Sequence, residues 1–120
     1  MDNLTYTEEC RRTEDRDWGQ VTERMSDPKS IRLFHTVVGL STEAGEALDI
    51  LKKNLFYGRE FDEVHFIKEL GDVLWYLTMA TDILGYSLDE VMDINIEKLK
   101  KRFPHKFTEQ EANNRKEGDI

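Results

Sequence analysis

The sequence has little of what a secreted or membrane-spanning protein contains. Its single cysteine, Cys10, cannot form an internal disulfide, so a reducing compartment suits the chain. No apolar run approaches the ~20 residues that a transmembrane helix needs, and the N-terminus lacks the apolar core of a signal peptide. We therefore expect a cytoplasmic protein (in the host cytoplasm if the source is viral) with no membrane partner.

Several catalytic patterns are also missing. The glycines are isolated and the phosphate-loop pattern G-x-x-x-x-G-K-[ST] is absent. Neither Cys10 nor any serine has a neighbouring base pattern for nucleophilic catalysis. There is no Glu-x-x-His, whereas a carboxylate-bridged di-iron bundle usually carries two such motifs, so a ferritin-like oxidase is disfavoured. His65 lies three residues after Asp62, in the opening turn of a helix, and we expect it to lie away from the main acidic motifs.

The chain as a whole is rich in charged residues and has few apolar residues. Charged residues make up 35% of the chain, hydrophobic residues 38%, and the net charge is −8, which suits an all-α domain with charged outer faces. The negative charge argues against a nucleic-acid partner. It does not exclude a nucleotide substrate, because bound cations invert the local field. At this length we expect one domain over residues 1–120, with a frayed segment at about 113–120.

Capping signals and 3.6-residue periodicity predict the helices. The segment from Gly19 to Asp27 is expected to be a loop or a short helical turn. The helix over 66–84 is apolar almost all round, which is typical of a central helix or a subunit interface. The predicted helices cover about residues 5–17, 28–54, 62–84 and 88–102, with a last short helix opening at Thr108.

Two short acidic motifs dominate the sequence. Glu43 and Glu46 are three residues apart, as are Glu69 and Asp72, and such pairs share one helix face. The midpoint between Glu43 and Asp72 falls between residues 57 and 58, within the predicted turn. The midpoint between Glu46 and Glu69 falls at the same place. An antiparallel hairpin would therefore bring all four carboxylates to one height, roughly 17–20 Å from the turn.

Four converging carboxylates repel one another and raise each other's pKa values. A hard divalent cation removes that cost, and an all-oxygen ligand set favours Mg²⁺ or Mn²⁺. Gly45 and Gly71 each cost a helix about 1 kcal/mol, so we expect close backbone approach at both. Since the chain is rich in acids, solvated faces without metal remain an alternative for these motifs.

Basic residues crowd the end of the helix over 88–102. Asn95, Lys98 and Arg102 share a face, and cations opposite a metal–carboxylate site could hold phosphate oxygens. The alternative is ordinary, because basic residues are favoured in the last turn of any helix. The same alternative applies to Lys53, near the end of the predicted helix over 28–54.

The two acidic motifs, followed by Asn95-x-x-Lys98-x-x-x-Arg102, resemble the MazG-like nucleoside triphosphate pyrophosphohydrolases of the all-α NTP pyrophosphatase superfamily. The likeness covers roughly residues 5–115 and is strongest to the small single-domain phage and bacterial type. Three stretches carry it together: HTVVGLSTEAGEALDILKK, ELGDVLWYLTMATDILGYSLDEV and KLKKRFPHKFTEQEANNR.

The resemblance implies hydrolysis of a (d)NTP to the monophosphate and pyrophosphate with Mg²⁺ or Mn²⁺. It implies that the cations bind to Glu43, Glu46, Glu69 and Asp72, and that Glu46 orients or deprotonates the attacking water. It implies phosphate contacts at Lys98, Arg102, Asn95 and Lys53. The residues that would line the base pocket are His35, Trp75 and Tyr76. For Trp75 and Tyr76 the alternative is packing in the core.

The resemblance also implies a four-helix bundle, here with short N- and C-terminal extensions, that oligomerises through its helices into a homodimer or homotetramer. Thr42 and Lys68 stand where many relatives have a further Glu, which leaves the number of metal ions open. The alternative function is a non-catalytic helical interaction or metal-binding protein.

Overall fold

The computed structural model describes residues 1–14 and 16–115, and within them every regular element is an α-helix. The all-α prediction is confirmed. The predicted frayed segment at 113–120 lies mostly outside the described residues. The helices are α1 (Asn3–Thr13), α2 (Trp18–Met25), α3 (Pro28–Tyr57), α4 (Glu63–Ile83), α5 (Leu88–Arg102) and α6 (Glu109–Asn113).

The starts of α3 and α5 follow their capping signals. At α3 the backbone N–H of Ser30 donates to the Asp27 carboxylate at 3.1 Å, with proline in the first turn. At α5 a reciprocal capping box joins Ser87 and Glu90 through bonds of 3.0 and 3.1 Å. Both pairs satisfy N–H groups that a helix start leaves without partners.

The end of α3 lies further along the chain than the periodicity predicted. Gly58 adopts the left-handed conformation at φ 69°, and its N–H donates to the Asn54 carbonyl at 3.2 Å. A left-handed residue of this kind ends a helix and is favourable for glycine. The helix therefore continues past Asn54 to the residue before Gly58.

The N-terminal helices differ from the prediction. The first helix begins at Asn3, before the predicted start near residue 5, because the Thr5 N–H donates to the Asp2 carboxylate at 2.8 Å and Asp2 caps the helix. A helix of eight residues, α2, occupies most of the segment that was predicted to be a loop or a short helical turn. Its start is capped by Asp17, which accepts from the Gln20 N–H at 3.2 Å. Asp17 is the capping signal that the sequence reading missed.

Most contacts between helices lie in the hairpin formed by α3 and α4, while α2 lies against α3 and α5 has few contacts with α4. The radius of gyration is 20.4 Å, against about 14 Å for a compact domain of this length. Large apolar side chains are accordingly exposed, for example Phe34 at 59% and Leu48 at 67%. The single chain thus leaves the apolar faces of its long helices open to solvent. Within the described residues, no helix combines the length and apolar composition needed to cross a bilayer.

Gly39, and not the glycines of the acidic motifs, packs directly against α4. A Cβ at Gly45 or Gly71 would meet no neighbouring atom within 4 Å, whereas a Cβ at Gly39 would overlap the ring of Tyr76. The predicted close approach at Gly45 and Gly71 is therefore wrong for this chain. Those two residues are exposed, while Gly39 is buried against α4.

Alanine at two of these positions should have opposite effects on stability. Gly39→Ala forces the Tyr76 ring to move and should lower the free energy of unfolding by about 1–3 kcal/mol. Gly45→Ala adds a better helix former in open space and should raise it by up to about 1 kcal/mol. Chemical denaturation followed by circular dichroism measures both. Equal losses in the two variants would contradict the assignment of open space at Gly45.

Candidate metal centre

The predicted acidic residues converge between α3 and α4. One carboxylate oxygen from each of Glu43, Glu69 and Asp72 lies within 4.8 Å of the others. Glu46 lies one turn nearer the loop and interacts electrostatically with Glu69 and Asp72. The hairpin thus brings together the four residues whose spacing was symmetric about the turn. Oxygen ligands alone suit Mg²⁺ or Mn²⁺.

The centre is only partly open to water. Glu69 is buried at 7% exposure and Glu43 is half-buried, whereas Glu46 and Asp72 are exposed. The Oε2 atoms of Glu43 and Glu69 are both buried, and neither has a hydrogen-bond partner among the residues that the structure describes. A buried polar atom without a partner costs free energy. A divalent cation bound between these carboxylates would supply the missing partner, so the residues present fit such an ion.

The carboxylates shift one another's pKa values. Contact with the Glu69 carboxylate, then desolvation, then the charge of Glu46 raise the pKa of Glu43 to about 7. The same Glu69 contact raises the pKa of Glu46. The pKa of Glu69 is instead lowered, first by contact with Glu43 and Glu46 and then by His65. In the absence of a cation, this group of carboxylates therefore takes up a proton at a higher pH than an isolated carboxylate does.

His65 contacts this centre, contrary to the expectation that it lies apart. Its Nε2 atom is 3.0 Å from Oε1 of Glu69, and its Nδ1 atom is 3.9 Å from the Asp62 carboxylate. His65 precedes Glu69 by four residues on α4, a spacing that places two side chains side by side. That spacing from Glu69 was the available signal in the sequence, whereas the expectation rested on the spacing from Asp62 alone. With its proton on Nε2, the ring donates to Glu69 and holds that carboxylate in place.

A cleft of about 420 Å³ adjoins the acids on the side of the α3–α4 loop. Glu46 and His65 line it beside the acidic centre, and Lys53 and Arg59 supply its cationic side chains. Lys53 Nζ also pairs with the Asp49 carboxylate at 2.8 Å. Arg59 belongs to no motif that the sequence singled out, and only the fold places it here.

Aromatic rings cluster on the opposite side of the acids. The rings of His35 and Tyr76 are 5.5 Å apart and nearly perpendicular, and those of Trp75 and Tyr76 are 5.0 Å apart. Trp75 remains 53% exposed. The three residues predicted to line a base pocket therefore lie together, one turn of α4 beyond Asp72. Their role in binding a base stays a prediction.

The predicted phosphate-binding residues of α5 are not part of the α3–α4 hairpin that forms the acidic centre. Asn95 and Lys98 are exposed and Arg102 is half-buried. Because α5 has few contacts with α4 and is not among the helices packed on α3, the hairpin itself does not position these residues. Their phosphate contacts stay a prediction that comes from the resemblance.

The sequence model of the MazG nucleotide pyrophosphohydrolase domain matches residues 35–107. The chain belongs to this family. The match includes the acidic centre and all of α4 and α5. A stretch of 39 residues is 46% identical to the uncharacterized protein YvdC of Bacillus subtilis (strain 168), and it covers 32% of this chain and 37% of that protein. No solved structure matches the chain. Membership of the MazG family indicates a nucleotide pyrophosphohydrolase in general terms.

The metal-free MazG-like chain should lose stability as pH rises towards 8. Glu43 has a pKa of about 7 when folded, against an ordinary value of 4.5, so the folded state binds more protons between these values. Its contribution to stability is complete below about pH 4.5 and is lost as pH rises through about 7. Glu46 acts in the same direction. The lowered pKa of Glu69 acts in the opposite direction, and its contribution is lost on acidification.

Thermal melts in a chelator from about pH 5 to about pH 8 measure this loss as a falling Tm. Mg²⁺ or Mn²⁺ added at about pH 8 should restore the Tm, because a cation replaces the proton. Glu43→Gln serves as the control and should flatten the pH dependence. A wild-type Tm that is insensitive to both pH and divalent cations would contradict the raised pKa of Glu43.

Proposed function

We propose that this chain hydrolyses (deoxy)nucleoside triphosphates to the monophosphate and pyrophosphate, with Mg²⁺ or Mn²⁺ as its resident metal. The observation that carries the proposal is the convergence of Glu43, Glu69 and Asp72 around two buried carboxylate oxygens that have no partner. Membership of the MazG family supports the same reaction class.

Each acid of the centre has a different role in this proposal. Glu43 and Glu69 are the less exposed carboxylates, and their mutual contact and the His65 bond hold them in place for a cation. Asp72 completes the set from the exposed side. A divalent cation bound there would lower the pKa of the attacking water and neutralise charge on the phosphates. Glu46 is exposed and lines the adjoining cleft, so it can accept the proton of that water.

The remaining contacts to substrate are part of the same proposal. The exposed face of Trp75 beside Tyr76 offers an aromatic surface on which a base can stack. Lys53 lies in the cleft next to the acids, within reach of phosphate oxygens. On the resemblance, the basic residues of α5 contribute further phosphate contacts at Lys98, Arg102 and Asn95.

Charge-neutral substitution at Glu46 tests the chemistry. Glu46→Gln should lower kcat by about 10²-fold or more, because the isosteric amide cannot accept a proton. Glu8→Gln, an exposed change on α1, should leave kcat unchanged. The assay incubates each variant with a panel of NTPs and dNTPs plus Mg²⁺ or Mn²⁺ and separates the products by chromatography. Retained turnover in Glu46→Gln would remove that residue from catalysis, and diphosphate with orthophosphate as products would refute the reaction.

We further propose that the functional form is a homodimer or homotetramer. The open arrangement, with a radius of gyration of 20.4 Å and exposed apolar residues along α3 and α4, supports this proposal, since contiguous exposed apolar surface marks interaction sites. The same exposure is what favours the second candidate function, a helical protein that binds a different partner and has no activity.

Light scattering coupled to size-exclusion chromatography distinguishes these forms. Two or four copies of the 14.1 kDa chain are expected, because burial of the apolar faces between copies removes them from water. A stable monomer that also hydrolyses no nucleotide would favour the non-catalytic interaction protein.

A further inference from the structure

We propose that the cleft between the end of α3 and the start of α4 binds the β- and γ-phosphates of the substrate, the part released as pyrophosphate, as a complex with a divalent metal. Arg59 is the principal cationic contact of this subsite. The inference rests on the proposed hydrolysis and names the place where the leaving group is held.

The order of sites along the hairpin supports this assignment. Tyr76 lies four residues beyond Asp72 on α4, and His65 lies four residues before Glu69, so each is about 6 Å from the acids along the helix axis. In a nucleoside triphosphate the base and the γ-phosphate are opposite ends. With the α–β linkage at the acids and the base on the Tyr76 side, the β- and γ-phosphates reach the His65 side, where the cleft opens.

Both backbone polar groups of Arg59, its N–H and its carbonyl, form hydrogen bonds to the end of α3. Its backbone N–H donates to the Lys53 carbonyl at 3.2 Å, and its carbonyl accepts from the Asn54 side-chain amide at 2.7 Å. Gly58 supplies the left-handed residue that this turn requires. A side chain on a fixed backbone loses less conformational entropy when it binds a ligand.

Arg59 is also the less neutralised of the two cations in the cleft. Lys53 pairs with Asp49 at 2.8 Å. For Arg59, no ion pair is found among residues 1–14 and 16–115. A guanidinium presents a planar fork of donors that matches two phosphate oxygens at once. Arg59 therefore has both the charge and the geometry to hold a polyphosphate.

The acids in the same cleft favour a polyphosphate that carries a bound divalent metal over a bare polyphosphate. Four acids line the cleft together with the two cations, namely Glu46, Asp49, Glu60 and Asp62. A bare polyphosphate would therefore meet repulsion as well as attraction. A metal–polyphosphate complex fits the mixed lining, because its cation faces the carboxylates while its oxygens face Arg59 and Lys53. The expected ligand is pyrophosphate with Mg²⁺, and a single phosphate group would bind much more weakly.

Isothermal titration of the full chain with inorganic pyrophosphate in the presence of Mg²⁺ tests the subsite directly. Arg59→Gln should weaken this binding about 10- to 100-fold, the usual effect of losing a charged hydrogen bond, and should raise KM for the triphosphate. Arg24→Gln, an exposed change on α2, should leave both values unchanged. Binding of the nucleoside monophosphate should be the same in all three proteins, and thermal melts verify that each variant folds.

The outcomes separate this inference from the proposed function. Unchanged binding of Mg²⁺–pyrophosphate in Arg59→Gln overturns the subsite even if the wild type hydrolyses nucleotides. If Lys98→Gln weakens binding of Mg²⁺–pyrophosphate and Arg59→Gln does not, the proposed subsite is also overturned. The leaving group would then be held by α5. If Arg59→Gln weakens binding of Mg²⁺–pyrophosphate but the wild type hydrolyses no nucleotide, the result supports the subsite and refutes the proposed reaction.

Discussion

Mutual repulsion among carboxylates between α3 and α4 is the constraint on which the rest of this structure depends. Like charges that are partly withdrawn from water resist ionising together, and the pKa of Glu43 is raised accordingly. Among the described residues, the buried Oε2 atoms of Glu43 and Glu69 also have no hydrogen-bond partner. A divalent cation bound here would relieve both problems and would couple the stability of the hairpin to occupation of its candidate metal site.

Packing and chemistry are concentrated in the same hairpin. The Tyr76 ring packs against Gly39, one turn from Glu43, so the centre lies beside a close contact between α3 and α4. Elsewhere the chain is open, and the outer faces of these helices expose large apolar residues. A second copy that covers those faces would stabilise the hairpin from outside without altering the carboxylates within it.

Membership of the MazG family and the geometry of the chain answer different questions. The family indicates the class of reaction. The aromatic cluster, the carboxylate centre and the cleft of mixed charge follow one another along the hairpin, and this order suggests how a nucleotide would lie. The cleft depends on the turn at Gly58. On the proposed subsite, the loop between the helices would therefore affect affinity for pyrophosphate, although it carries none of the motif acids.

The sequence by itself determined the all-α class, the starts of α3 and α5, and the convergence of the four acids. Those features depend on local capping and on symmetric spacing about one turn, and both are properties of the chain in one dimension. Only the tertiary structure decided that Gly39 is the close-packed glycine and that Arg59 reaches the acidic cleft. These depend on the rotation of each helix about its axis and on the path of the loop. That rotation and that path are set by side chains far apart in sequence, so no local pattern records them.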